Sequence, residues 1–219
     1  MTVKLVNISK MIKHRRILNN VSFEFEDRQI YGLVGDQGAG KTMLIRAIAG
    51  LLVPSSGKVV IDGQALHDNI DFPPNVGVAF QNTPFLNELT GLQNLVSLSK
   101  IQNVASTDDI KKTFKNLGLS EADWNIKLAD CSPKLRKKVS IAQAIFEKPK
   151  LLLLDEPTAG LDEDSVWNLR NILKALANSG ATIILASQDE EALNMLSHVI
   201  LKIDDGQIID QVKANWVWG

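Results

Sequence analysis

Eight consecutive residues, Gly35-Asp36-Gln37-Gly38-Ala39-Gly40-Lys41-Thr42, carry the clearest chemistry in this sequence. They fit the pattern G-x-x-x-x-G-K-[ST] of a phosphate-binding loop. Glycines let main-chain N–H groups turn inward and approach an anion closely, and the positive end of the following helix faces the same point. Lys41 supplies a mobile charge for the β- and γ-phosphates of a nucleotide, and the Thr42 hydroxyl is placed to ligate Mg²⁺. Met43, next in line, completes the candidate nucleotide-contacting run. A second constellation, Leu151-Leu152-Leu153-Leu154-Asp155-Glu156, sets a buried strand in front of two acids. Acids just beyond a strand end emerge where ligands bind in an open α/β sheet. Asp155 is the candidate to hold Mg²⁺, through water, and Glu156 the candidate to polarise an attacking water. Acids in this place also cap helices, a reading that loses force once the phosphate loop stands beside them.

The elements around these motifs suit the task. Ile30 to Val34 is a nearly continuous apolar run, as a strand buried on both faces requires, and it feeds directly into the loop; Lys41 to Leu52 then reads as a helix. Before it, Val3, Leu5 and Ile8, then Val21, Phe23 and Phe25, alternate as in a half-buried antiparallel sheet, and Val59 to Ile61 ahead of Asp62-Gly63 continues that style. From about Leu86 to Lys148 the spacing becomes helical: Leu89, Leu92, Leu95, Val96 and Leu98, then Ile110, Phe114 and Leu117. Ser120 can cap a short helix, and Ser132-Pro133 is a good helix start with an apolar face at Leu135, Val139, Ala142 and Ile145 or Phe146. Strand and helix then alternate: Leu151 to Leu154, the stripe Val166, Leu169, Ile172, Leu173 and Leu176, Thr182 to Ala186, Glu190 to Leu196, and Val199 to Ile203 turning at Asp205-Gly206. Such alternation implies parallel strands covered on both sides.

Composition agrees with a folded domain. The 219 residues are 45 % hydrophobic and 22 % charged, with a net charge of −1, which argues against disorder and against a nucleic-acid-coating surface. The single cysteine, Cys131, allows no internal disulfide and fits a reducing compartment. Met1 to Leu5 lacks a secretory signal pattern, and the apolar stretch Ile45 to Val53 is interrupted by Arg46 and ended by Pro54. The expectation is a chain that meets a membrane only through a partner.

Taken together, these residues resemble the nucleotide-binding subunits of ABC transporters. Beyond the two phosphate-site motifs, Glu156-Pro157-Thr158 followed by Ala159-Gly160-Leu161-Asp162 looks like that family's D-loop, while Val21-Ser22-Phe23, Ser55-Ser56-Gly57, Asp62-Gly63 and Ala79-Phe80-Gln81 sit in the family's order. The resemblance covers nearly the whole chain. It implies one ABC ATP-binding domain over residues 1–219: an α/β P-loop NTPase core with a parallel sheet and an N-terminal antiparallel β subdomain (1–81 and 149–219), and an inserted helical subdomain (82–148) that docks on the membrane subunit. It implies ATP and Mg²⁺ as ligands, with Gln81 as the glutamine that contacts Mg²⁺ and reports to the membrane partner. The implied placement is peripheral, on the cytoplasmic face of the membrane. The implied partners are an integral membrane transporter subunit and a second ATPase subunit, identical or not, with no nucleic acid.

Three departures bear on mechanism. Where the family's signature loop reads Leu-Ser-Gly-Gly-Gln and reaches the ATP of the opposite subunit, this chain has Cys131-Ser132-Pro133-Lys134-Leu135, followed by Arg136-Lys137-Lys138. Ser132 keeps one hydroxyl contact; Pro133 removes a main-chain donor and Lys134 fills space that glycine leaves open. Lys134 can instead meet phosphate as a charge; the plainer alternative makes Ser132-Pro133 only a helix start and the basic run a solvated face. At the switch histidine the chain has Ser187-Gln188-Asp189, and Gln188 can hydrogen-bond a γ-phosphate but cannot become a cation. By spacing, Ile12 occupies the place of the adenine-stacking aromatic, with Met11 and His14 nearby; a lost ring removes a surface worth about 1 kcal/mol. His67 and His198 stand apart from any ligand cluster, and the tail Trp216-Val217-Trp218 reads as packed or as a partner contact. Two functions follow: an active transporter ATPase, with export favoured on general likeness, or a hydrolysis-poor regulatory half of a heterodimer. A DNA- or ribosome-acting relative is not expected, because neither a coiled-coil insertion nor a second such domain can be read from these residues and they carry no basic excess.

Overall fold

The computed structural model describes residues 1–102 and 104–214; the tryptophan tail at 216–218 lies outside the described residues. Among the described residues, ten strands and seven α-helices run in the order β1 (Val3–Ile12), β2 (Arg15–Phe25), β3 (Ile30–Val34), α1 (Lys41–Ile48), β4 (Ser56–Ile61), β5 (Gln64–Ala65), β6 (Val76–Ala79), α2 (Gly91–Gln102), α3 (Thr107–Asn116), α4 (Glu121–Trp124), α5 (Pro133–Ile145), β7 (Leu151–Asp155), α6 (Glu163–Asn178), β8 (Thr182–Ser187), α7 (Glu190–Leu196), β9 (Val199–Asp204) and β10 (Gln207–Lys213).

The central sheet has the order β10-β9-β3-β8-β7-β6. Its five strands β9, β3, β8, β7 and β6 are parallel, and β10 returns antiparallel along β9. The leucine run of β7 shows why these strands are apolar at every position. Leu152 and Leu154 pack with Ile183 and Leu185 into a core shared with α5, α6 and α7. Leu151 and Leu153 face the opposite way, into a second core with Leu44, Ile45 and Ile48 of α1. All four are fully buried, and each such side chain contributes about 1.5–3 kcal/mol relative to exposure. A polar residue at any of them would be stranded without a partner.

The second sheet, β2-β1-β4-β5, is antiparallel. Val3 pairs with Phe25 on one side and Ile61 on the other, and the alternating side chains Val3, Leu5, Ile8, Leu18, Val21 and Phe25 are buried. This sheet therefore lies over the α1 face of the central sheet and shares its core. Two-residue turns at Asp62-Gly63 and Asp205-Gly206 have positive φ at both positions, the turn geometry that matches the twist of the strands it joins.

Four helices, α2 to α5, follow one another between β6 and β7. Ser106 and Ser120 each form a reciprocal capping box, with Asp109 and Asp123. Ser132 caps α5 by accepting the Leu135 N–H, with Pro133 in the first turn. Leu89, read as the start of the helical spacing, falls in the turn ahead of α2. Among the described residues no helix is long and apolar enough to cross a membrane.

Candidate functional site

The phosphate loop is the link between β3 and α1, and its shape is set by contacts on both sides. Gly40, the residue before the helix, has φ 110°, and a Cβ there would lie 2.8 Å from the Ile17 carbonyl oxygen. No side chain fits at that point. The Ala39 N–H donates to the Asp36 carbonyl at 3.1 Å, and the Ala39 carbonyl accepts the Gly206 N–H at 2.9 Å. The turn between β9 and β10 thus buttresses the loop from a distant part of the chain.

Lys41 is buried and folds back over the loop, its ammonium donating to the Asp36 carbonyl at 3.0 Å and to the Gly35 carbonyl. Burial pushes it below the usual lysine value, while the charges of Glu156, Asp155 and Asp36 pull it back up. Thr42 sits one residue on, where its hydroxyl is shared between the two Asp155 carboxylate oxygens at 3.0 and 3.1 Å. Burial raises the Asp155 carboxyl above the ordinary range, against the opposing effects of the Thr42 hydrogen bond and of Arg46, Lys137 and Lys41. A hydroxyl and a carboxylate meeting from two elements form a hard-oxygen pair, the donor chemistry that Mg²⁺ takes.

Glu156 follows Asp155 at the end of β7, with its backbone in the left-handed region at φ 51°. Its N–H donates to the Ala186 carbonyl at 2.8 Å. Its carboxylate accepts from the Ser187 hydroxyl at 3.1 Å, and its main-chain carbonyl accepts from the Lys137 ammonium at 2.9 Å. A cavity of about 610 Å³ opens over these groups, lined by Arg15, Ile17, Gln37, Gly38, Gly40, Lys41, Thr42, Met43, Gln81, Glu156, Ala159 and Gln188. Gly35 and Asp36 line an adjoining cavity of about 270 Å³, which Gln188 also reaches. Asp155 lies buried below, behind Thr42.

Most of the residues singled out from the sequence therefore come together. Two do not. Ile12 is at the end of β1 and is absent from the lining, where Arg15 and Ile17 stand instead. Ser132 is exposed at the start of α5, its oxygen occupied in capping. Lys134 is engaged as well, paired with the Asp162 carboxylate of the D-loop segment. That contact, ahead of the Ser165 hydroxyl, holds Asp162 well below the ordinary carboxylate range.

The basic run after it is not a solvated face, correcting the plainer reading of this segment. Arg136 donates to the Leu128 carbonyl at 3.0 Å and to Asn87 at 2.9 Å; Lys138 is buried, and Lys137 reaches Glu156. Nothing beside Lys137 in the sequence points 19 residues ahead to Glu156. Its one trace is that α5 turns an apolar face to the core, which leaves 137 beside the buried side.

These positions can be set against known proteins. A family model described as ABC transporter matches residues 18–159. The chain is 40 % identical over 206 residues, 94 % of each chain, to an uncharacterized ABC transporter ATP-binding protein, YybJ, of Bacillus subtilis (strain 168). It is 29 % identical to the bacitracin transport ATP-binding protein BcrA of Enterococcus faecalis, over 97 % of this chain and 70 % of that one. In fold it matches the dimeric structure of MJ0796, a bacterial ABC transporter cassette, with a TM-score of 0.87 at 24 % identity, covering 98 % of this chain and all of the other. A bacterial Atm1-family ABC exporter with ATP bound gives 0.86 at 23 % identity, over 97 % of this chain and 38 % of that one. With the phosphate loop, the buried acid and the left-handed glutamate in place, this chain belongs to the ABC transporter family as one of its ATP-binding subunits.

Proposed function

We propose that this chain binds Mg²⁺-ATP in the cavity over the phosphate loop and hydrolyses it to drive a separate membrane-embedded subunit. The observation that carries the reading is that Lys41, Thr42 and Glu156 line one cavity, with Asp155 held against the Thr42 hydroxyl behind it. In it, Gly35 to Thr42 and Met43 cradle the phosphates, and Lys41 leaves its loop carbonyls for the β- and γ-phosphates. Thr42, Asp155 and Gln81 hold Mg²⁺, whose role is to screen phosphate charge. Glu156 orients and polarises the attacking water, and Gln188 hydrogen-bonds the γ-phosphate. Arg15 and Ile17 take the place of a stacking ring at the base. A guanidinium can lie over a base as a planar cation.

Residues 82–148 form the subdomain that docks on the membrane partner in this reading, and the chain sits on the cytoplasmic face. Two ATPase chains sandwich the nucleotide, Ser132 of one facing the ATP of the other. Outward transport is the direction proposed, on the general likeness of the sequence to subunits that export small peptides and drugs.

A second reading is favoured by one observation. Lys134 and Pro133 stand where glycines would allow close approach, and Lys134 is tied to Asp162 within its own chain. A chain so built serves as the hydrolysis-poor half of a heterodimer, its own site completed by a partner's normal signature loop. Turnover of Mg²⁺-ATP by the isolated chain over a range of concentrations, with Glu156→Gln as control, decides. Turnover per chain that rises with concentration and vanishes in the control supports the active homodimer. Binding without turnover above the control supports the heterodimer.

A further inference from the structure

Glu156 holds a backbone conformation that its own sequence opposes. A residue with a Cβ rarely adopts φ near 51°, and Pro157 after it biases the position toward extended backbone. Such a conformation persists only where the surroundings over-determine it. Three contacts do so: the Ala186 carbonyl takes the Glu156 N–H, the Ser187 hydroxyl holds its carboxylate, and the Lys137 ammonium holds its main-chain carbonyl. The first two come from β8, beside β7 in the sheet. The third comes from α5, one turn past the altered signature segment.

We propose that Lys137 is a positioning residue for Glu156. By fixing the Glu156 carbonyl it stops the peptide plane between Glu156 and Pro157 from turning, and so keeps the carboxylate aimed into the cavity beside Lys41 and Gln81. The ammonium also lies near two adjacent acids, Asp155 and Glu156, whose mutual repulsion it reduces; with Gln188 unable to carry charge, no switch-position cation shares that duty. Because the same helix begins at Ser132-Pro133-Lys134, a shift of the signature segment would reach Glu156 through one side chain. The inference rests on Glu156 being the water-polarising carboxylate.

The test compares Lys137→Met and Lys137→Arg with the parent chain. Three readouts are taken: hydrogen–deuterium exchange at the Glu156 amide, equilibrium binding of ATP, and steady-state turnover. Lys137→Met should speed exchange at that amide by about tenfold or more as the local structure opens. It should leave ATP affinity and KM within about twofold, and lower kcat by about 10- to 100-fold, the scale of a misplaced catalytic group. Lys137→Arg, which keeps a charged donor, should recover most of both losses. Unchanged exchange in Lys137→Met overturns the proposal. So does a fall in ATP affinity or melting temperature that the arginine variant does not rescue, since that marks general support of α5. If the parent hydrolyses no more ATP than Glu156→Gln, the hydrolytic reading fails instead, and amide exchange still decides whether Lys137 sets the Glu156 backbone.

Discussion

Two glycines in the same kind of turn should respond differently to the same substitution. Gly63 and Gly206 each occupy the second position of an Asp-Gly turn, at φ 83° and 73°, behind aspartates at φ 44° and 42°. An alanine in this region costs about 1–2 kcal/mol, offset by about 0.4–1 kcal/mol from the stiffer unfolded chain. At Gly63 that is the whole effect, because a Cβ there meets nothing within 4 Å. At Gly206 the Cβ would lie 2.5 Å from the Ile17 carbonyl oxygen and 2.9 Å from Leu18 Cα, both backbone atoms. Forcing them apart adds about 1–3 kcal/mol. Gly63→Ala should therefore cost about 0–1.6 kcal/mol, and Gly206→Ala about 1–3 kcal/mol more than that, in urea denaturation. The strain has a direction: Gly206 donates to Ala39 within the phosphate loop, and Ile17 lies against Gly40. Gly206→Ala should also weaken ATP binding by about tenfold, measured with a fluorescent nucleotide, while Gly63→Ala leaves it unchanged. Equal losses in both variants would refute the claim that this turn buttresses the loop.

Asp155→Asn should raise the melting temperature of the nucleotide-free chain at pH 7. Burial lifts the folded carboxyl above its unfolded value near ~4, so the folded state binds the proton better and stability falls as pH rises through the folded pKa. The gain should shrink on acidification below that pKa, and a melting temperature that drops at pH 7 would contradict the account. Ser132→Ala should cost about 1 kcal/mol by removing the cap of α5, whereas Ser132→Asp keeps the cap and the stability. If Ser132 faces a partner's phosphate, the aspartate variant nevertheless loses ATP-dependent dimerisation, readable by sedimentation.

What the sequence disclosed depended on whether local pattern carried the information. The doubly buried strands β3, β7 and β8 are apolar at nearly every position, so their place in a parallel sheet could be read directly. Glu190 to Leu196 was bounded by its own residues, with Asp189 capping the helix. The strand β6 leaves no such trace, since Val76-Gly77-Val78-Ala79 is short and Gly77 has no side chain to show alternation. Nor does β10, an edge strand whose side chains are mostly exposed, so burial imposes no pattern on it. At the site, the loop and the acids were legible because phosphate chemistry demands those residue types at that spacing. Contacts across the fold were not. Lys134 finds Asp162 28 residues on, Lys137 finds Glu156, and Arg15 and Ile17 rather than Ile12 line the cavity. Each depends on how helices and hairpins dock, which side-chain identity alone does not encode.

The central claim is that the cavity over the phosphate loop is an ATP site with separable binding and hydrolytic parts. Its most direct measurement is equilibrium binding of Mg²⁺-ATP to the parent chain, Lys41→Ala and Glu156→Gln under one set of conditions. Glu156→Gln should bind at least as tightly as the parent, while Lys41→Ala should lose about 100-fold or more, about 2.7 kcal/mol of phosphate attraction. Parent-like affinity in Lys41→Ala would contradict an ATP site over this loop.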